Sequence, residues 1–575
     1  MKLVSSTILL NAFLLLTRQI FKNSCSFPRL EIKQLAETKS LAKTEKYLAL
    51  SYRNYFAKFF CLPQRFNRIN DARLSQHIQE LRKTYFEDID VLNDPNNAAD
   101  DVLHRIVLIL KRTSREQLLK EGPTLLVPCS IKVLFHYEYG LPYKEGLCDW
   151  KQRRHLKLAK ESYYNLLRSF VPEKSKELVK VVIKTIHKGK LWLVEDFAYD
   201  LLWTLLELNV SGFTVVQRIL NKLEMLDNDI PDARAIVRVL YELLNVYHWP
   251  EDMKTIAVVE RLLKLFHKSM VAADGNDPPY GSLRKGLEVC VRHILQRLPN
   301  DHLLVAIRHM CLWTMKNETN DETILDFGST LEYAAFLHNS SSYEKTLTSE
   351  VFPMLMHMIG STNRLANLLG NRVLQYLLDR NNNKHQFDTP KIFFENTQFD
   401  LCIGKYNRKD KIFLKTYREE LHDCLVKSVI NHCSTRLNLE ATYCTICLLA
   451  VEVPCGFTAA STVCLAMNLQ ELTLERKDLS REVSFHVHAT VMAIMSLLCW
   501  VHHAKVFFNY INKIMMERAQ WAPHLNPPLQ SRYDFAIHHI LWDKPEFFFV
   551  DWETRYGLWK CFRLKEERRS VISSH

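Results

Sequence analysis

DIPDARAIVRVLYELLNVYHWPEDMKTIAVVERLLKLFHK, residues 229–268, reads as two helices laid end to end. The first opens on Asp229, Pro231 and Asp232 and sets Ile236, Val239, Leu240, Leu243, Val246 and Tyr247 at the three-to-four-residue spacing of one helical face. It stops at Trp249, because Pro250 cannot continue it. Pro250, Glu251 and Asp252 then suit a new first turn, where the missing N–H costs nothing and carboxylates meet the positive end of the helix dipole. Ile256, Val259, Leu262, Leu263 and Phe266 make the second buried stripe, and with no residues left over for a loop the two helices are expected to fold into a tight hairpin.

The same grammar continues outward. A turn at Asp274–Pro279 precedes a helix at 282–298, an Asn300 cap opens 303–315, an Asp321 cap opens 324–337, and helices follow at 350–359 and 363–378. Corresponding helices return about every 40 residues, the period of stacked helical hairpins. Composition agrees: 14 glycines and 19 prolines in 575 residues fall below the usual shares of about 7% and 5%, while doubly wound enzymes, sandwiches and barrels consume glycine at turns and phosphate loops. Over roughly residues 70 to 520 this period and apolar pattern resemble the armadillo/HEAT superfamily. The resemblance implies an all-α solenoid and a habit of binding other macromolecules, with no particular activity attached.

Three segments are expected along the chain: an apolar and basic N-terminal stretch at 1–47, the helical-repeat solenoid at 48–520, and an aromatic-rich cap at 531–575. Within the solenoid, residues 381–410 carry Asn381, Asn382 and Asn383 in a row and Pro390, and are expected to form an exposed loop leaving the stack. Pro523, Pro527 and Pro528 separate the last unit. That unit is crowded with Trp542, Phe547, Phe548, Phe549, Trp552, Tyr556, Trp559 and Phe562, which suit either a terminal cap packed on the last repeat or an aromatic groove for a partner peptide.

Charge is the most informative feature. The formal net charge is +12, and residues 151–190 hold twelve basic against three acidic residues, an excess of nine. Arg153, Arg154, Lys157, Lys160 and Arg168 flank an apolar stripe of Leu156, Tyr163, Leu167 and Phe170. In the next helix Lys176, Lys180, Lys184 and Lys188 form an i, i+4 ladder beside Val179, Val182, Ile183 and Ile186. Like charges at that spacing repel by a few tenths of a kcal/mol per pair. Two readings stand: a solvated face partly neutralised by Glu195, Asp196 and Asp200 on a neighbouring helix, or a contact for an anionic partner, whether nucleic acid, anionic lipid or an acidic protein. Few aromatics lie among these residues, so any nucleic-acid contact is expected to be nonspecific.

No catalytic site, metal site or cofactor is expected. No Walker loop, G-x-S-x-G, H-E-x-x-H or G-x-G-x-x-G occurs. Cys444 and Cys447 form a C-x-x-C, but their flanks, Leu448, Leu449 and Val451, are apolar and no second close pair follows. Cys499 stands with His502 and His503, while His486, His488, His538 and His539 form a group whose convergence in space sequence cannot decide. The 15 cysteines are odd in number and scattered through apolar runs, which favours the cytosol or nucleus. The alternative is membrane association or secretion through the N-terminus, where the apolar Leu3–Thr17 stretch lies between Lys2 and Arg18 and Lys22. The apolar run at 489–501 reads as a buried helix instead. The expected protein is therefore a non-catalytic interaction scaffold or adaptor, its partner most simply another protein. Its rivals are a nucleic-acid-associated protein and a peripheral membrane adaptor using residues 151–190.

Overall fold

The computed structural model describes residues 71–550, except 87–96, 141–148, 226–229, 247–252, 273–277, 279, 340–341, 477 and 531–543. The expected N-terminal segment at 1–47, the hairpin corner at Tyr247, Trp249 and Pro250, and the cap residues beyond 550 therefore lie outside the described residues. From Leu74 onward these belong to one compact unit.

Among the described residues every α-helix is followed by another and no strand occurs. The array opens with α1 (Asp71–Phe86), α2 (Asn97–Arg112), α3 (Arg115–Glu121) and α4 (Leu126–Phe135). The basic stretch forms α5 (Asp149–Phe170) and α6 (Ser175–Lys188). Then come α7 (Glu195–Glu207), α8 (Gly212–Glu224), α9 (Ile230–Val246), α10 (Met253–Lys268), α11 (Arg284–Leu295), α12 (Asn300–Lys316) and α13 (Asp321–Leu337). After the single turn α14 (Tyr343–Thr346), the chain continues through α15 (Val351–Gly360), α16 (Arg364–Leu378), α17 (Arg408–Thr416), α18 (Arg418–His432), α19 (Arg436–Glu452), α20 (Gly456–Glu475), α21 (Arg481–His502) and α22 (Lys505–Trp521).

The helices stack in two rows. One row runs α4, α6, α8, α10, α12, α15, α18, α20, and the other α7, α9, α11, α13, α16, α19, α21, each helix packing on the next in its row and on a neighbour across. This is the all-α solenoid that the apolar period implies: the stripe Ile236, Val239, Leu240, Leu243 of α9 and Val259, Leu262, Leu263, Phe266 of α10 is buried. Close approach between the rows is sharpest at Gly370 of α16, where an added Cβ would stand 2.9 Å from the Met358 Cβ and 3.1 Å from the Ile359 backbone nitrogen.

Two helix starts differ from expectation. Asn320, not Asp321, caps α13, its side chain accepting from the Thr323 N–H at 3.1 Å. Asn300 is the first residue of α12, after Pro299, and makes no cap. It instead donates to the Asn339 carbonyl at 2.9 Å and accepts from the Asn339 N–H at 3.1 Å, tying the start of α12 to the end of α13.

Residues 381–410 are irregular and largely exposed over 394–409, as expected, but they do not leave the stack. Phe387 and Phe393 are wholly buried, the Phe393 N–H donates to Ser496 Oγ at 3.1 Å, and the Trp500 indole donates to the Thr397 carbonyl at 3.1 Å. Asn383 donates to Glu452 Oε1 and to the Cys402 carbonyl, both at 3.0 Å, and accepts from the Cys402 N–H at 2.9 Å. At the segment's end, inside α17, the buried Asp410 carboxylate accepts from Arg380 at 2.6 Å and from the Tyr343 N–H at 2.8 Å. The physical reason is that two phenylalanines, each gaining about 1.5–3 kcal/mol on burial, outweigh the polarity of their neighbours. The insert also lengthens one repeat, so that α16 and α19 begin at Arg364 and Arg436.

One described helix, α21, is long and apolar enough to cross a membrane, and most of that window is buried within the array, as a core helix.

Candidate docking face on the basic helices

α5 and α6 are joined by a turn held from outside by α3. Arg115 of α3 donates to the Ser169 carbonyl at 3.2 Å and the Val171 carbonyl at 2.7 Å, and pairs with Glu173 at 2.5 Å. α6 buries Leu178, Val179, Val181, Val182, Ile183 and Ile186 between α4 and α8. That leaves Lys176, Lys180, Lys184 and Lys188 exposed along the remaining face, where four-residue spacing keeps them in register for three turns.

The acids expected to neutralise them do not reach them. Glu195 pairs with Arg238 of α9 at 2.6 Å. Asp200 lies by Lys160, Glu138 and Asp196; burial raises its pKa above the ordinary value, Lys160 opposes that rise, and the two carboxylates add to it. Glu177, within α6 itself, turns back to Lys174 at 3.8 Å. Among the described residues, no carboxylate stands within 4 Å of the four ladder ammonium groups.

The α5 residues differ from one another. Lys160 pairs with Glu138 at 2.6 Å and is partly neutralised. Arg153, Arg154, Lys157 and Arg168 are exposed. Tyr163, on the buried side of the same helix, donates to the Leu201 carbonyl of α7 at 3.4 Å, so α5 is tied to the α7 row and α6 belongs to the other. The nine basic residues are thus divided between helices of two rows, and the unbroken charged feature is the ladder of α6.

Of the remaining sequence candidates, Cys444, Cys447 and Cys499 are packed into the core. Burial pushes the Cys444 and Cys499 thiols up to about 12 and the Cys447 thiol well above its usual value, which keeps them protonated. His486 lies by the Gln530 carbonyl at 3.1 Å, His488 is buried against the Phe548 ring, and His538 and His539 lie outside the described residues. Among the described residues no group of three or more His, Cys, Asp or Glu side chains is placed to hold a metal ion.

Sequence reasoning missed Arg518. This last-turn arginine of α22 looks like a dipole-compensating surface residue, yet it is fully buried and its guanidinium holds three backbone carbonyls. No signal in the sequence marks it, because its partners come from three separate segments.

Comparison with known proteins places this architecture. Protein EFR3 homolog cmp44E of Drosophila melanogaster is 20% identical over 387 residues, 64% of this chain and 46% of the fly protein. Protein EFR3 homolog B of Mus musculus and of Homo sapiens are each 20% identical over 156 residues, 27% of this chain and 19% of theirs. The matches thus span less than half the length of these relatives, and no solved structure matches. The family model described as "EFR3, armadillo repeat" matches residues 81–536, most of the two-row array, and the chain belongs to the EFR3 armadillo-repeat family.

Proposed function

We propose that this armadillo-type chain is a non-catalytic adaptor that seats on an anionic membrane surface through α6 and presents the rest of the array to a protein partner. The observation that carries the reading is the ladder Lys176, Lys180, Lys184 and Lys188, exposed in one line, with Glu177 and Glu195 paired to other cations. Such a line repels itself, and anionic headgroups relieve the repulsion without requiring a shaped pocket. The apolar Leu3–Thr17 stretch flanked by Lys2, Arg18 and Lys22 supplies the second signal that stable peripheral binding needs.

The test is vesicle co-sedimentation of the full chain and of the variant with all four lysines changed to glutamine, on phosphatidylcholine alone and with about 30% phosphatidylserine. At about 1 kcal/mol per lysine near an anionic surface, the variant should bind charged vesicles up to about 10³-fold more weakly, with a shallower salt dependence. Its helical circular dichroism should be unchanged, because none of the four enters the buried stripe. Equal binding of both proteins to charged vesicles refutes the reading. Binding to duplex DNA but not to vesicles transfers the ladder to nucleic acid, and binding to neither leaves it a solvated face of a protein scaffold.

A further inference from the structure

At the far end of the array, Lys544–Val550 lies against α20, α21 and α22, and the way it is held differs from ordinary core packing. Gln470 of α20 donates through Nε2 to the Phe549 carbonyl at 3.3 Å and accepts from the Phe549 N–H at 3.0 Å. One side-chain amide thereby reads both backbone groups of one residue, as a neighbouring strand would. Arg518 of α22 donates through Nε to the Phe547 carbonyl at 2.6 Å, and its Nη1 holds the His488 carbonyl of α21 at 3.2 Å and the Leu525 carbonyl at 2.8 Å.

Arg518 has no exposed surface, its ring neighbours are Phe548 and Phe549, and its Nη2 has no hydrogen-bond partner among the described residues. A guanidinium buried without a carboxylate is costly, and here its use is to fix main-chain oxygens. Both polar anchors on the segment, at Phe547 and Phe549, are therefore directed at the backbone.

Side-chain selection comes from three adjoining sites. Phe547 sits with Phe485, Ala522 and Leu525; Phe548 packs on the His488 ring at 5.0 Å; Phe549 meets Tyr510 at 6.1 Å. Lys544 lies over the Trp521 ring at 5.4 Å, and Val550 is exposed again. The segment enters by one tight turn, Pro545–Phe547, and is extended at Phe548. Main-chain hydrogen bonds for affinity and side-chain pockets for specificity are the two components of peptide recognition in a groove.

We propose that the end of the array is a peptide-binding groove for a segment that enters by a tight turn and carries three consecutive aromatic residues, and that Lys544–Val550 fills it in cis until a partner carrying such a segment displaces it. The occupying segment defines the ligand chemistry: a free carbonyl at the first aromatic position, a free N–H and carbonyl at the third, and three rings in a row. Tethering gives the cis segment an effective concentration in the millimolar range, so the groove of the intact chain is closed to dilute peptides.

The experiment uses the full chain and a fluorescent peptide with the sequence of residues 543–551, DKPEFFFVD, followed by fluorescence anisotropy. In the variant Phe547→Ser, Phe548→Ser, Phe549→Ser the groove is vacated, and the peptide should bind about tenfold or more tightly than to the wild type. Adding Gln470→Ala to that variant should weaken peptide binding about fivefold or more, because the paired backbone bonds are lost. Phe549→Ser alone is the milder test and should give the same order of affinities with a smaller gap. The proposal is overturned if a variant with wild-type helical circular dichroism binds the peptide no better than the wild type. It is equally overturned if the variants lose the helical spectrum, since a displaceable segment cannot be required for the array to fold.

Discussion

Acidification should loosen the C-terminal end of the array, and His488 makes the effect calculable. Its side chain is buried on α21 against Phe548, its Nδ1 has no partner among the described residues, and Arg518 and His524 are the charged or titratable groups facing it. Burial first, then Arg518 and His524, lowers its pKa from 6.5 to about 3. The folded imidazole thus stays neutral while the exposed one takes up a proton below 6.5. Stability is fully present above the unfolded value and is lost as pH falls from 6.5 toward about 3. At pH 5 an opening that exposes His488 gains a factor of about 30, roughly 2 kcal/mol, relative to pH 7.5. Hydrogen exchange of α21 and α22 amides, corrected for intrinsic rates, reads this directly because it follows local opening. His488→Gln keeps a similar volume and removes the titration, so the acid-induced acceleration should be about 30-fold smaller in the variant than in the wild type. If both accelerate equally between pH 7.5 and 5, the reasoning about His488 is wrong.

Other expectations are simpler. Gly370→Ala should destabilise the array by about 1–3 kcal/mol, since the new methyl meets Met358 and the α15 backbone. Gly360→Ala, where only the Lys427 Cδ lies at 4.0 Å, should change the thermal midpoint far less. Asp410→Asn removes the buried carboxylate charge that pairs at 2.6 Å with Arg380, which is stacked over the Tyr343 ring at 3.9 Å. It should cost about 3 kcal/mol and make residues 381–407 more sensitive to limited proteolysis. A thiol-alkylating reagent followed by mass spectrometry should modify exposed Cys402 well before buried Cys444 or Cys447. Of the three N-x-Ser/Thr sequons, Asn317 should resist glycosylation in the folded chain, because its amide donates to the Trp313 carbonyl at 2.8 Å and lies 3.2 Å from His267.

The stacking rows were legible because the signal is redundant: α9 and α10 each repeat an apolar residue every three or four positions, and a misread residue changes little. Boundaries depended on single side chains, and Asn320 and Asn300 show how adjacent polar residues exchange roles once a neighbouring turn offers a partner. The docking of the insert onto the stack is illegible for a related reason. Phe387 and Phe393 stand six residues apart among asparagines and lysines, with no period to betray a buried face. The charge ladder of α6 was visible as composition, but its isolation from counter-ions was not, since Glu195 chooses Arg238 on a helix that sequence alone cannot place beside it. Arg518 was the least legible, because the Phe547 carbonyl it holds lies 29 residues away.

The packed insert has a consequence for how the chain is made. In a two-row array most contacts join neighbouring repeats, so each hairpin emerging from the ribosome finds its support already folded. Residues 393 and 397 instead bond to Ser496 and Trp500, each 103 residues later in the chain. At about 5–20 residues per second, roughly 5 to 20 s of synthesis separates the two. For that interval Phe393 and Phe399 have emerged without the surface of α21 that later covers them. The growing chain therefore carries an adhesive aromatic segment at one defined stage, and the yield of folded protein should depend on holdase chaperones during that window more than on the strength of any single repeat.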